Sequence, residues 1–177
     1  TLLHEALGAY TEVFTELQNE MWVKKLGLDS FQESDETLIV ELNALLQEVE
    51  TDMTIFFRLL CSINQPDIKS LNNAFYDSTN IPTEQWNEWL GKWWKRIDGS
   101  PNRQDMIDAN PKYVLRNWMA QLAIDAAESG DFSICEELYK LLQNPYDEQP
   151  EHEEKWFQKR PEWARNRVGC SMLSCSS

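Results

Sequence analysis

The stretch NPKYVLRNWMAQLAIDAAESGDFSICEELYKLLQN, residues 110–144, decides the fold class of this chain. Asn110 offers a side-chain oxygen to cap a helix whose first position is Pro111, where a missing N–H costs nothing. Leu115, Trp118, Leu122 and Ala126 then recur three and four residues apart, which places them on one helical face. Ala120, Ala123 and Ala127 make a second, small-residue face that lets another helix approach closely. Gly130 supplies a left-handed stop. Asp131 or Ser133 caps the next helix, Ser133 and Glu136 having capping-box spacing. Ile134, Leu138, Leu141 and Leu142 bury its inner face. The reading is a tight helical hairpin.

The same period runs upstream. Leu3, Leu7, Tyr10, Phe14, Leu17 and Met21, with Val23 or Leu26, form one long stripe ended by Gly27. Ser34 and Asp35 precede a second helix with Leu38, Leu42, Leu45 or Leu46, and Val49 facing inward. Asp52 has the chemistry of an N-cap for a short helix through Phe56, Phe57, Leu60 and Cys61. Residues 67–77 read as another helix, with Ile68, Leu71 and Phe75 inside. Ile81-Pro82-Thr83 is a helix entry capped by Thr83. Behind it Trp86, Trp89, Leu90, Trp93 and Ile97 are spaced as a buried helix face, so this aromatic stripe reads as core and not as a ligand cage. Trp94 falls off the stripe and is left to touch a neighbouring element. A turn at residues 99–102 leads to a short helix near Met106 and Ile107.

Beyond Pro145 the chain turns polar, with five carboxylates in the nine residues 146–154. EF-hand spacing and its central glycine are absent, so this is a solvated acidic turn and not a calcium loop. Trp156, Phe157 and Trp163 anchor the last ordered pieces. No strand alternation of useful length occurs. The expected fold is all-α, an irregular helical bundle of about seven to nine helices. The expected division is a helical domain over 1–165 and a mobile, cysteine-containing tail over 166–177.

Composition narrows the function. Thirty acidic against sixteen basic residues give a net charge of −14. Such a field repels nucleic-acid backbones and anionic membrane surfaces, so neither is an expected partner. No apolar run is long enough to cross a membrane as a helix, and no basic-then-apolar leader is present. The chain opens Thr1-Leu2-Leu3-His4 with the helical pattern already running, which reads as a start partway through a longer protein. Cys61 and Cys135 lie in helical patterns as small apolar residues, whereas Cys170 and Cys175 lie in the polar tail. No CxxC pair exists and His4 and His152 stand far apart, so no metal site is expected. Phosphate-binding loops, HExxH and GxSxG are all missing, and no nucleophile–base pair can be drawn.

Residues 110–121, with their continuation at 123–131, resemble a signature of the selenoprotein O (SelO) family. Pro145-Tyr146-Asp147-Glu148-Gln149-Pro150-Glu151 resembles it too, as do Pro161, Trp163-Ala164 and the terminal Ser174-Cys175-Ser176-Ser177. Lys24-Lys25-Leu26-Gly27-Leu28 and residues 54–60 are similar more loosely. Trp118, where tyrosine is usual, and Arg160, where a second proline is common, depart from the pattern.

The resemblance implies the helical C-terminal part of a kinase-like (pseudokinase) protein that transfers AMP from ATP to hydroxyls of protein substrates with Mg or Mn. The family's His-Gly-x-x-Asn-x-Asp-Asn type motif is absent here, so the resemblance implies no catalytic, nucleotide-binding or metal residue in this chain. It implies no cofactor for this segment, the protein's own N-terminal kinase-like domain as its partner, and a bacterial, cytoplasmic member. Cys175 stands where animal relatives carry selenocysteine, which makes it the candidate redox thiol, with Cys170 as a possible second. The thiol lies ten residues past Arg165, within about 33–36 Å of it. The acidic field is expected to raise its pKa, with Arg165 and Arg167 as local offsets. The competing reading is a stand-alone, tetratricopeptide-like interaction module, although no 34-residue repeat is found.

Overall fold

Every regular element among the described residues is a helix. The computed structural model describes residues 2–170, with side chains from residue 7 onward. Among the described residues there are nine α-helices and one 3₁₀ helix, and an isolated antiparallel bridge joins Thr51 to Phe75. In order they are α1 (Leu2–Leu26), α2 (Glu33–Glu48), α3 (Met53–Leu60), the 3₁₀ helix (Ile68–Ala74), α4 (Thr83–Arg96) and α5 (Arg103–Ala109). Then follow α6 (Asn117–Glu128), α7 (Ser133–Leu141), α8 (Pro150–Trp156) and α9 (Glu162–Arg165). The chain divides into two compact units, Thr1–Asn110 and Pro111–Ser177.

In the first unit the tryptophan stripe of α4 is core, as its spacing predicts. Trp86, Trp89, Leu90 and Trp93 are buried. The rings of Trp89 and Trp93 stack with centroids 6.2 Å apart, and Phe56 and Phe75 lie 5.2 and 5.4 Å from Trp86. Two of these indoles also tie helices together. The Trp89 Nε1–H donates to the Leu38 carbonyl at 2.8 Å, and the Trp93 Nε1–H to the Leu26 carbonyl at 2.9 Å. Trp94 lies against the turn that follows its own helix: Gly99 adopts φ +66°, and a Cβ there would sit 3.2 Å from the Trp94 Nε1.

Helix starts follow local chemistry with small shifts. Asp52 caps α3 through the Ile55 N–H, as expected. The N-cap of α2 is Gln32, and Asp35 occupies the third helical position, where its carboxylate accepts the Gln32 N–H at 2.8 Å. Pro82 holds the cap position of α4, Thr83 being the first helical residue. The segment 67–77 closes as a 3₁₀ helix capped by Asp67, with Ile68, Leu71 and Phe75 buried as predicted.

Gly27 ends α1 at φ +65°, and a Cβ there would meet the Met106 Sδ at 2.7 Å, which requires glycine. The front of α1 is exposed: Leu7, Tyr10, Val13, Phe14, Leu17 and Met21 all face solvent, while Leu26 is buried.

Asn110 differs from its expected role. It ends α5 as C-cap, and its side chain is enclosed. Its Oδ1 accepts the Lys25 ammonium at 2.8 Å, and its Nδ2 donates to the carbonyls of Lys25 and Met106. An amide so engaged cannot cap a following helix. Residues 111–116 are therefore not helical, α6 begins at Asn117, and Leu115 is exposed.

The second unit is built on the α6–α7 hairpin. Gly130 takes φ +86°, its N–H bonds the Ala127 carbonyl, and the Asp131 N–H bonds the Ala126 carbonyl, the two bonds of a Schellman stop. Neither expected residue holds the N-cap position of α7, which is Phe132 with no side-chain cap bond; Ser133 is the first helical residue, and Asp131, one residue before the cap, accepts the Ser133 N–H at 2.9 Å. Tyr113, Trp118, Met119, Ala123, Leu138, Leu141, Trp156, Ala164 and Cys170 make the core, with Trp118 stacked on Trp156 at 5.9 Å.

Candidate functional site

Two of the sequence blocks that carried the resemblance close on each other. The backbone N–H groups of Lys112 and Tyr113 both donate to the Pro145 carbonyl, at 2.8 and 3.0 Å. The Lys112 ammonium, 4% exposed along its side chain, bonds the carboxylates of Glu148 at 2.8 Å and Glu153 at 2.7 Å. It also lies over the rings of Phe157 and Tyr113, at 5.3 and 5.8 Å from their centroids. The Tyr113 hydroxyl donates toward the carbonyls of Glu148 and Gln149. Gln149, at φ +38°, turns its amide back to the Leu141 and Asn144 carbonyls. The segment expected to be a solvated acidic turn is thus fastened from within by one buried lysine.

Burial alone would lower the Lys112 pKa, but the hydrogen bonds it donates to Glu148 and Glu153 outweigh it and hold the ammonium above its ordinary value. Burial pushes the Tyr113 phenol up. A raised lysine pKa means that the clasp stabilises fully below the unfolded value of 10.5 and is lost as pH rises through the higher folded value. Lys112→Met should therefore cost about 1–3 kcal/mol at neutral pH, less than a fully enclosed pair because the orphaned carboxylates stay hydrated. Denaturant unfolding checks this, and the deficit against the parent should shrink at strongly alkaline pH.

The candidate redox residues are placed unequally. Cys175 lies outside the described residues. Cys170 is 6% exposed and belongs to the core of the second unit. Arg167, one of the two expected local cations, gives both guanidinium arms to Asp125, at 2.7 and 2.8 Å. Cys61 is buried and burial raises its thiol pKa, whereas Cys135 is half-buried with its Sγ toward the Ala123 carbonyl. Both fit the reading of small apolar residues.

Among the described residues no group of three His, Cys, Asp or Glu side chains is arranged to hold a metal ion, and no helix is long and apolar enough to cross a membrane. A wide groove of about 920 Å³ runs beside α1, lined by Glu12, Glu16, Glu20, Val23 and Phe31 among others. Its lining mixes carboxylates with the polar side chains of Thr11, Thr15, Asn19, Lys24 and Ser30.

Fold and clasp together define a helical scaffold whose signature polar residues bind the chain to itself. The chain belongs to the SelO family: the family model described as protein adenylyltransferase SelO matches residues 1–143. Curated proteins similar to it include bacterial ones named protein nucleotidyltransferase YdiU. That of Flavobacterium johnsoniae is 47% identical over 99% of this chain and 36% of its own length. Those of Aromatoleum aromaticum and Rhodopirellula baltica are 46% and 42% identical, again over 99% of the chain and 35% and 37% of their own lengths. The chain thus spans about a third of the relatives it matches. The family match stops short of the 145–151 block and the cysteine tail, which the individual relatives do cover.

Sequence reasoning missed the Lys112 clasp, because its partners lie 36 and 41 residues away. It also missed the Lys25–Asn110 bond across 85 residues. One signal was available for the first: a lysine flanked by Pro111 and Tyr113 upstream of an uncompensated acidic run.

Proposed function

We propose that this chain is the C-terminal structural and regulatory region of a bacterial, cytoplasmic protein adenylyltransferase. The whole protein joins AMP from ATP to serine, threonine or tyrosine hydroxyls of other proteins. The hydroxyl oxygen bonds to the α-phosphorus, pyrophosphate leaves, and the hydroxyl proton is taken up by a base. ATP and Mg or Mn are held by the kinase-like region outside this chain, which is also this region's partner. The chain alone is inactive. The observation that carries the reading is the clasp: the signature polar groups at 112, 113, 148 and 149, together with Glu153 just beyond the signature, bond one another and offer no convergent site to a nucleotide. Family membership and the spanned third of the relatives' length support it.

Cys175 is the regulatory thiol in this proposal. An oxidant of the peroxide class takes two electrons from Cys175 and a second thiol, and a disulfide forms with loss of two protons. Burial of Cys170 argues against it as that second thiol. Cys175 lies five residues beyond Cys170, so its Cα stays within about 18 Å of the Cys170 Cα. The partner cysteine must then come close to this corner of the second unit.

The full-length protein, given α-labelled ATP and a divalent metal under reducing conditions, is expected to transfer label to itself or to added protein. Absence of any AMP transfer contradicts the proposal. After mild peroxide treatment, peptide mapping should find Cys175 bonded to a cysteine outside residues 1–177; exclusive pairing with Cys170 defeats the regulatory version. The interaction-module reading gains no support from the helices: among the described residues one tight hairpin, α6–α7, is present, and helix lengths run from 4 to 25 residues without a repeated pair.

A further inference from the structure

We propose that the apolar stripe of α1 (Leu7, Tyr10, Phe14, Leu17 and Met21) is the seat of this protein's own remaining polypeptide, and that α1 is the strut joining this region to the rest. The inference rests on the reading of the chain as one region of a longer protein.

Five large apolar side chains recur at intervals of three, four, three and four residues, yet each is between 43% and 65% exposed. Val13 beside them is exposed as well. Tyr10 and Phe14 stack on each other at 5.8 Å. A stripe with that spacing is made to lie along another helix or a matching surface. Helices draw most of their stability from packing such a face, so one left bare over this length calls for a cover. Among the described residues it is the far end of α1 that is held within the first unit. Leu26 is buried and receives the Trp93 indole N–H, Trp22 packs near Phe57 at 6.2 Å, and Lys25 bonds Asn110. At 25 residues the helix is about 37 Å long, so its bare front reaches well past that anchor.

Two observations choose the occupant. The relatives carry nearly two thirds of their length outside the matched region, and a covalently attached surface meets the stripe at high effective concentration. A second copy of this chain meets it against a charge of −14 on each partner, with Glu12, Glu16 and Glu20 on the same helix adding to the repulsion.

Hydroxyl-radical footprinting of the full-length protein at submicromolar concentration tests this, with AMP transfer measured on the same sample. Tyr10, Phe14 and Met21 should be oxidised at least tenfold more slowly than in a denatured control. Leu17→Glu should raise oxidation of Met21 and Phe14 at least fivefold while the oxidation of Trp118 and Trp156 stays unchanged. Oxidation of the wild-type stripe at the denatured rate overturns the proposal. So does protection that appears only as concentration rises, which assigns the stripe to a second copy. A protected stripe in a protein that transfers no AMP leaves this inference standing and removes the functional one; an exposed stripe in an active protein does the reverse.

Discussion

Trp93→Ala is expected to lower the stability of the first unit by about 3–5 kcal/mol, the range for truncating a fully buried tryptophan. A typical domain has about 5–15 kcal/mol in total, so the variant should lose most of its cooperative unfolding transition. Two losses combine. The ring is stacked on Trp89 and enclosed, so alanine leaves a cavity between α1, α2 and α4. The Leu26 carbonyl, buried at the end of α1, also loses its indole donor. Trp86 provides the contrast, because its Nε1–H has no partner among the described residues. Trp86→Phe removes an unsatisfied donor and keeps most of the ring, so it should cost less than Trp93→Phe. Urea midpoints of the three variants check the order. Equal costs for the two phenylalanine variants contradict the role given to the Leu26 hydrogen bond.

Arg96→Ala should be nearly as severe, at about 3 kcal/mol. Asp35 is 1% exposed and Arg96 is 15% exposed along their side chains, and the guanidinium spans both carboxylate oxygens at 2.8 and 3.0 Å. The same guanidinium bonds the Ser30 carbonyl, which pins the loop between α1 and α2. Breaking an enclosed pair from one side costs about 3–5 kcal/mol because the surviving charge stays buried. Here the Gln32 N–H and the positive end of α2 still face the carboxylate, which places the cost at the lower end. Adding Asp35→Asn to Arg96→Ala should recover part of the loss, a non-additive result that a double-mutant cycle reads directly. Additive costs contradict the pairing.

The sequence shows which faces are apolar with fair accuracy and what covers them poorly. The α4 tryptophans, the Asp52 cap, the Gly27 and Gly130 stops and the α6–α7 hairpin all follow from local rules of spacing and capping. The α1 stripe obeys the same period, but periodicity says nothing about the partner, and its side chains face solvent. Asn110-Pro111 is a sound helix start by local chemistry; the structure overrides it because the Asn110 amide is engaged by Lys25 and Met106. Lys112 was invisible for a related reason. A charged residue is read from sequence as a solvated face, and only the fold brings Glu148 and Glu153 to it. Cys170 looked like part of a polar tail, yet it packs inside, where the Arg167–Asp125 pair and the left-handed Gly169 lead the chain inward. Family membership was legible in the order of short blocks, most of them now seen to be structural.

The central claim is that this region supplies scaffold and not chemistry. Photoaffinity labelling of the full-length protein with an azido analogue of ATP and a divalent metal, followed by peptide mapping, tests it most directly. ATP-competed label is predicted only on peptides outside residues 1–177. Competed label on peptides within residues 1–177, above all around Lys112 or Lys25, contradicts the account.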